Sequence, residues 1–147
     1  MTGSVFIFGL GYSARAFSIQ MHETGWKISG TTRSAEKADS LRALGFKPVI
    51  YNGVANSEIE AELKSADVIL VSIAPDPEGA EANLPFGGDP VLRDFATVIQ
   101  LLPKKPWIGY LSTVGVYGHH DGAWVNETTV CRPVSKRSIA RAAAENA

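Results

Sequence analysis

Short apolar runs alternate along this chain with stretches whose apolar residues recur at helical spacing. Ser4–Phe8 is the first run, nearly all apolar and rich in β-formers. A continuous run of that kind fits a strand covered on both faces, as in a parallel sheet. Gly9-Leu10-Gly11 follows it. Residues 12–24 carry Ala14, Phe17, Ser18 and Met21 at helical spacing, and Gly25 is placed to end that helix. Trp26–Thr31 reads as a second strand. Ser34 is a candidate N-cap for a helix burying Ala38, Leu41 and Leu44, which Gly45 ends. Lys47–Tyr51 reads as a third strand.

Ser57-Glu58-Ile59-Glu60 has the form of a capping box and predicts a short helix. Asp67–Ala74 is the most apolar strand and is expected at the sheet centre. Pro75–Gly88 is a polar loop with three prolines and three glycines. Asp89-Pro90 then predicts a helix start, Asp as N-cap and Pro at the first helical position. Leu92, Phe95, Ile99 and Leu102 supply its core face. Trp107–Thr113 is a fifth strand, Val114–Arg132 is irregular, and the alanine-rich segment from Pro133 reads as helix. This β-α-β-α-β-α-β-α-β-loop-α order implies right-handed crossovers and an open parallel sheet with helices on both faces. Neither a repeat nor a linker interrupts it.

Composition narrows the partners. The chain has 147 residues, 45% of them hydrophobic, enough for one domain with a real core. Fourteen Lys and Arg against 15 Asp and Glu give a formal charge of −1, so nothing in the bulk charge points to nucleic acid or an anionic membrane. Val5–Phe8 is far short of the ~20 residues that span a bilayer, and no basic segment precedes it. Cys131 is the single cysteine, which suits a reduced, cytoplasmic compartment.

Gly9-Leu10-Gly11-Tyr12-Ser13-Ala14 matches G-x-G-x-x-G/A between a strand and a helix. In that setting the first glycine allows the tight turn, the second admits a pyrophosphate, and small Ala14 lets the helix pack on the strand. The helix N-terminus, at Tyr12 and Ser13, offers free N–H groups to phosphate. The expected fold is therefore a Rossmann-type, doubly wound α/β sheet binding a dinucleotide; the alternative is a glycine turn that binds nothing. At the end of the second strand, Gly30-Thr31-Thr32-Arg33 lacks the carboxylate that would hold a ribose 2′-hydroxyl. Arg33 is instead suited to a 2′-phosphate, with hydroxyls from Thr32 and Ser34. NADP is favoured over NAD on that ground. Ile73, Ala74 and Pro75, at the carboxyl end of the fourth strand, are expected to line the cofactor's ribose and nicotinamide side.

Leu111-Ser112-Thr113-Val114-Gly115-Val116-Tyr117-Gly118, with Glu127 and Pro133 downstream, resembles the corresponding segment of the extended short-chain dehydrogenase/reductases. Those are NAD(P)-dependent epimerases and dehydratases, and the pattern looks most like their atypical branch. The resemblance implies that Thr113 bonds the substrate's reacting oxygen, with Ser112 a weaker candidate. It also implies a Tyr-x-x-x-Lys pair on the following helix. Counting back from Glu145, those positions hold Arg137 and Arg141. Arginine does not titrate near neutrality, so Arg137 cannot be the proton donor, although Arg141 is suited to holding ribose or phosphate.

Two function classes stay open. One is an epimerase-like oxidoreductase acting on a carbonyl or hydroxyl substrate, sugar nucleotides being the family's kind. The other is a dinucleotide-binding module without turnover, a sensor or a truncated relic. Family members continue beyond the helix in which this sequence stops. Residues 1–147 are accordingly expected to be a single cofactor-binding domain whose missing continuation carries the substrate pocket and a homodimer contact. No metal is expected: His119-His120-Asp121 has no second ligand cluster to complete a site. Arg132, Lys136, Arg137 and Arg141 form a local basic cluster, either facing phosphate or simply solvated.

Overall fold

A computed structural model describes residues 2–147. Five strands, β1 (Ser4–Phe8), β2 (Lys27–Thr32), β3 (Lys47–Ile50), β4 (Val68–Val71) and β5 (Trp107–Tyr110), form one parallel sheet in the order β3-β2-β1-β4-β5. Five helices join or follow them: α1 (Tyr12–Glu23), α2 (Ala35–Arg42), α3 (Ser57–Ser65), α4 (Pro90–Gln100) and α5 (Lys136–Glu145). Short 3-10 turns occupy Pro85–Gly88 and Val114–Tyr117. This is the Rossmann-type α/β architecture that the alternation of patterns predicted. Among the described residues no helix is long and apolar enough to cross a membrane.

The chain divides into two compact units, one running to Ile73 and resuming over Asp94–Leu111, the other made of Ala74–Arg93 and Ser112–Ala147. The first holds the sheet. Alternate strand residues face opposite sides, so β1 feeds two cores. Val5 and Ile7 join Ile28, Leu41 and Leu70, with Ala14, Phe17 and Met21 from α1 packed on them. On the other side the core is aromatic. Phe6 meets Phe8 edge-on at 5.0 Å, Phe8 meets Phe95 of α4 at 5.1 Å, and Phe95 meets Tyr51 at 5.6 Å.

The second unit is built differently. Asp89, fully buried, caps α4 by accepting from the amides of Val91 and Leu92 through Oδ1 at 2.9 and 3.0 Å. Ser135 caps α5 by accepting from the Ser138 amide at 3.2 Å. Glycine permits close backbone approach at Gly87, where an added Cβ would lie 2.8 Å from the Ala140 carbonyl oxygen, and φ is +62°. Lys136 spans from α5 to Glu78 at 2.7 Å and Glu81 at 3.0 Å.

Several boundaries differ from the sequence reading. The centre of the sheet is β1; β4 lies beside it, because its crossover from β3 carries it past the first two strands. The strands expected over Asp67–Ala74 and Trp107–Thr113 stop at Val71 and Tyr110, where the ladder ends although apolar residues continue. Ser57 is not the cap of α3: Asn56 is, its Oδ1 accepting from the Ile59 amide at 3.1 Å, so the helix starts one residue earlier in register than the capping-box pattern suggests. The last helix begins at Lys136 rather than Pro133. On α4 and just past its end, Phe95 and Leu102 are buried as expected, Leu92 and Ile99 are half-buried, and Val91, one turn before Phe95, is fully buried and joins the core face.

Candidate functional site

Gly9 leaves β1 with φ +88°, a left-handed conformation that glycine adopts without strain. Space demands glycine there as well, since an added Cβ would sit 2.9 Å from Cγ1 of Ile73. The turn is tied to β2 at two points. The Gly9 amide donates to Oγ1 of Thr31 at 2.8 Å, and the Leu10 amide donates to the Thr31 carbonyl at 2.9 Å. Gly30 permits that approach, because a Cβ on it would meet the Ile7 carbonyl oxygen at 2.5 Å. The sequence motif includes neither Gly30 nor Thr31, although a glycine inside a strand is itself a signal of close backbone approach.

Gly11 is a different case. Its φ of −83° and ψ of −164° are extended backbone open to any residue. A Cβ there would meet nothing nearer than the Gly9 carbonyl oxygen at 3.9 Å. Neither backbone strain nor packing within the chain therefore accounts for glycine at 11. What a side chain would fill is open space in front of α1. Into that space point the first amides of α1, those of Tyr12, Ser13 and Ala14, which have no partner among the described residues. Free N–H groups and the positive end of a helix dipole suit a phosphate oxyanion. Ala14 is fully buried and its carbonyl accepts from Ser18 Oγ at 2.7 Å, which seats α1 against the sheet. Tyr12 is 96% exposed, so its ring serves no packing purpose.

At the end of β2, Thr32 is buried and Arg33 is exposed. Ser34 Oγ accepts from the Lys37 amide at 3.3 Å, the predicted N-cap of α2. Arg33 has no hydrogen bond or ion pair among the described residues, so its guanidinium is available to a ligand. Ile73 is half-buried against Gly9. The first unit thus brings together Gly9, Gly11, Tyr12, Ser13, Ala14 and Ile73, and carries Thr32, Arg33 and Ser34 at the end of the adjacent strand.

The remaining predicted residues belong to the second unit. Ala74 is exposed and Pro75 buried. Thr113 is exposed, and its Oγ1 accepts from the Gly115 amide at 3.2 Å, which starts the 3-10 turn of the V-Y-G segment. Its hydroxyl proton has no acceptor among the described residues. Ser112 donates to Oε1 of Glu145 on the last turn of α5, so its hydroxyl already has a structural partner. Arg137 and Arg141 lie one helical turn apart on α5, exposed and half-buried respectively. The basic cluster expected around them is only partly cationic in effect. Lys136 is paired with Glu78 and Glu81, two acids distant in sequence, and its pKa is raised by the hydrogen bond it donates to Glu78 first and to Glu81 second. His120 Nε2 lies 3.0 Å from the Tyr117 carbonyl, a bond made by the tautomer protonated at that nitrogen. Among the described residues no group of three His, Cys, Asp or Glu is placed to hold a metal ion.

Comparison with known proteins bears on the fold. No protein-family model and no curated protein matches the chain. Solved structures do. A conserved protein of unknown function from Silicibacter pomeroyi shares 39% identity and superposes with a TM-score of 0.81, over 98% of this chain and 46% of that one. A UDP-glucuronic acid 4-epimerase from Bacillus cereus, solved with NAD, gives 0.69 at 18% identity over 97% and 50%. A UDP-glucose-4-epimerase from Stenotrophomonas maltophila with bound NAD gives 0.69 at 16% identity over 98% and 47%. The likeness to the epimerases is one of fold. The chain spans about half the length of the solved structures it resembles.

Proposed function

We propose that this chain is the NAD(P)-binding part of an epimerase- or reductase-like oxidoreductase, with NADP the preferred cofactor. The observation that carries the reading is Gly11. It is a glycine that neither strain nor packing requires, set before unpartnered helix amides in a turn anchored by Thr31. The fold shared with NAD-bound epimerases supports the same cofactor class. A bound dinucleotide would have its pyrophosphate held by the amides of Tyr12, Ser13 and Ala14, and it would supply hydride chemistry. Arg33 would pair with a 2′-phosphate, with Thr32 and Ser34 adding hydroxyls. On this reading Thr113 is the residue to donate a hydrogen bond to a substrate carbonyl or hydroxyl, of the kind found in sugar nucleotides. Arg141 is then the candidate to hold ribose or phosphate.

The test is a titration of the full chain with NADPH and with NADH, followed by thermal unfolding. A ligand that binds only the folded state stabilises it by about 2.7 kcal/mol at a hundredfold excess over Kd. NADPH should stabilise more than NADH, and Arg33→Ala should remove that difference. The absence of any shift with millimolar cofactor overturns the dinucleotide reading. An equal loss for both cofactors overturns the role of Arg33.

A second reading rests on α5. On the resemblance to the extended dehydrogenase/reductases, the positions of the proton-donating Tyr and its Lys fall on Arg137 and Arg141 of α5, and neither arginine transfers protons near neutrality. On that reading the chain binds the dinucleotide without turnover. Substrate-dependent absorbance change at 340 nm that is lost in Thr113→Ala separates the enzyme from the binding module.

A further inference from the structure

The amides of the glycine turn fall into two groups. Those of Gly9, Leu10 and Gly11 are spent inside the chain. Gly9 donates to Thr31 Oγ1 at 2.8 Å, Leu10 to the Thr31 carbonyl at 2.9 Å, and Gly11 to the Gly9 carbonyl at 2.7 Å. Those of Tyr12, Ser13 and Ala14 have no partner among the described residues. The first group fixes the path of the chain, and the second faces the open space before α1.

Two of the inner bonds end on Thr31, and they differ in kind. Any residue at 31 offers a carbonyl to Leu10. Leu10 is also held by its side chain, which is buried in the core against Gly30. Gly9 has no side chain to hold it, and only a side-chain oxygen at 31 accepts its amide. Thr31 itself is 1% exposed and lies opposite Val49 in the sheet. Packing alone is served there by valine, which has nearly the same shape. The hydroxyl is therefore present for its bond. Threonine's branched Cβ restricts its side-chain rotation, which keeps that oxygen on Gly9. Without it the Gly9 amide is left unsatisfied in a site from which water is largely excluded, and the peptide turns toward another acceptor.

We infer that Thr31 is a positioning residue for the dinucleotide. Its hydroxyl fixes the Gly9 peptide, and through it the direction of the Tyr12, Ser13 and Ala14 amides that would take the pyrophosphate. The role rests on the dinucleotide reading and adds to it a residue that sets affinity. NADPH and NADH share the pyrophosphate, so Thr31 governs both alike. Arg33, two positions on, governs only the difference between them.

Thr31→Val keeps the side-chain shape and removes the acceptor. In the full chain, NADPH and NADH should each bind about tenfold more weakly, the scale of one lost hydrogen bond. Hydrogen exchange at the Gly9 amide should quicken in the same variant without cofactor. Thr31→Ser restores the oxygen and should return most of the affinity for both cofactors. Thr31→Ala lacks the same acceptor and carries the same expectation if the valine variant does not fold. Wild-type affinity in a folded Thr31→Val would make the bond structural only and overturn the positioning role. Thr31→Ser as weak as Thr31→Val would assign the effect to packing and overturn it equally. A loss confined to NADPH would move Thr31 to the 2′-phosphate and overturn it as well. If the wild-type chain binds neither cofactor, the dinucleotide reading falls, and this role falls with it.

Discussion

The two units of this chain use polar residues in opposite ways. In the first, apolar strands and aromatic contacts carry the packing, and the polar groups of the glycine turn are left unspent. The amides of Tyr12, Ser13 and Ala14 and the guanidinium of Arg33 have no partner among the described residues. In the second, the polar side chains that look catalytic already hold structure together. Ser112 is bonded to Glu145, Thr113 opens a 3-10 turn, and Lys136 joins α5 to Glu78 and Glu81. The lesson is that residue type alone overstates function in the second unit and states it fairly in the first. Unpartnered donors next to open space are the stronger sign of a ligand.

Substitutions can break that contrast, the largest effect coming first. Phe95→Ala removes a fully buried ring that touches Phe8 and Tyr51, and should lower stability by about 3–5 kcal/mol in denaturant unfolding. A loss under 1 kcal/mol would mean the aromatic face is not the core of the first unit. Gly11→Val should do the reverse. It fills only open space, so stability should fall by no more than about 1 kcal/mol, the N-cap preference for glycine over valine. Dinucleotide affinity should fall by about a hundredfold, or ~2.7 kcal/mol, by titration. If Gly11→Val unfolds the chain instead, glycine is there for structure and the contrast between the units fails.

Gly87→Val tests the close packing of the second unit. It sets a side chain 2.8 Å from the Ala140 carbonyl oxygen at a positive φ and should cost about 1–3 kcal/mol. The check is lost hydrogen-exchange protection in α5.

The acid limb of stability comes next. The Lys104 hydrogen bond, then the Ser4 amide, holds the Asp67 carboxyl below its ordinary range. The unfolded chain therefore takes up this proton first as pH falls. The stabilisation from Asp67 is complete above the ordinary aspartate pKa of about 3.9 and is lost as pH drops through the lower folded value. Asp67→Asn should flatten the unfolding midpoint against pH below about 4; an unchanged slope would remove Asp67 from the account. Smallest of all is Lys136→Ala. Its ion pairs are solvent-exposed, and no change in midpoint is expected. A large loss would show that the bridge from α5 to Glu78 and Glu81 is what orders the loop.

Much of this was legible from periodicity. The order and type of the strands and long helices follow from it, because burial on both faces of a parallel sheet demands continuous apolar runs and helices demand a 3.6-residue stripe, while several ends do not. The glycine motif was equally plain, since its chemistry is local backbone geometry. What escaped were relationships between distant residues. Nothing near Gly9 in sequence points to Thr31, 22 residues away, as the acceptor of its amide. Nothing near Lys136 points to Glu78, 58 residues away. Asn56 displaced Ser57 as the cap of α3 because capping is decided by which side chain reaches the Ile59 amide, and both residue types can do it.

The sequence by itself determined the order of elements, the Rossmann-type sheet and the turn that presents free amides, because these depend on propensity and on neighbours a few residues apart. Only the tertiary structure decided which strand lies at the centre, which hydroxyls and ammonium groups are already bonded, and which are left for a ligand. Those outcomes depend on side chains brought together across the sheet and the loops, and a linear pattern carries no record of the distance between them.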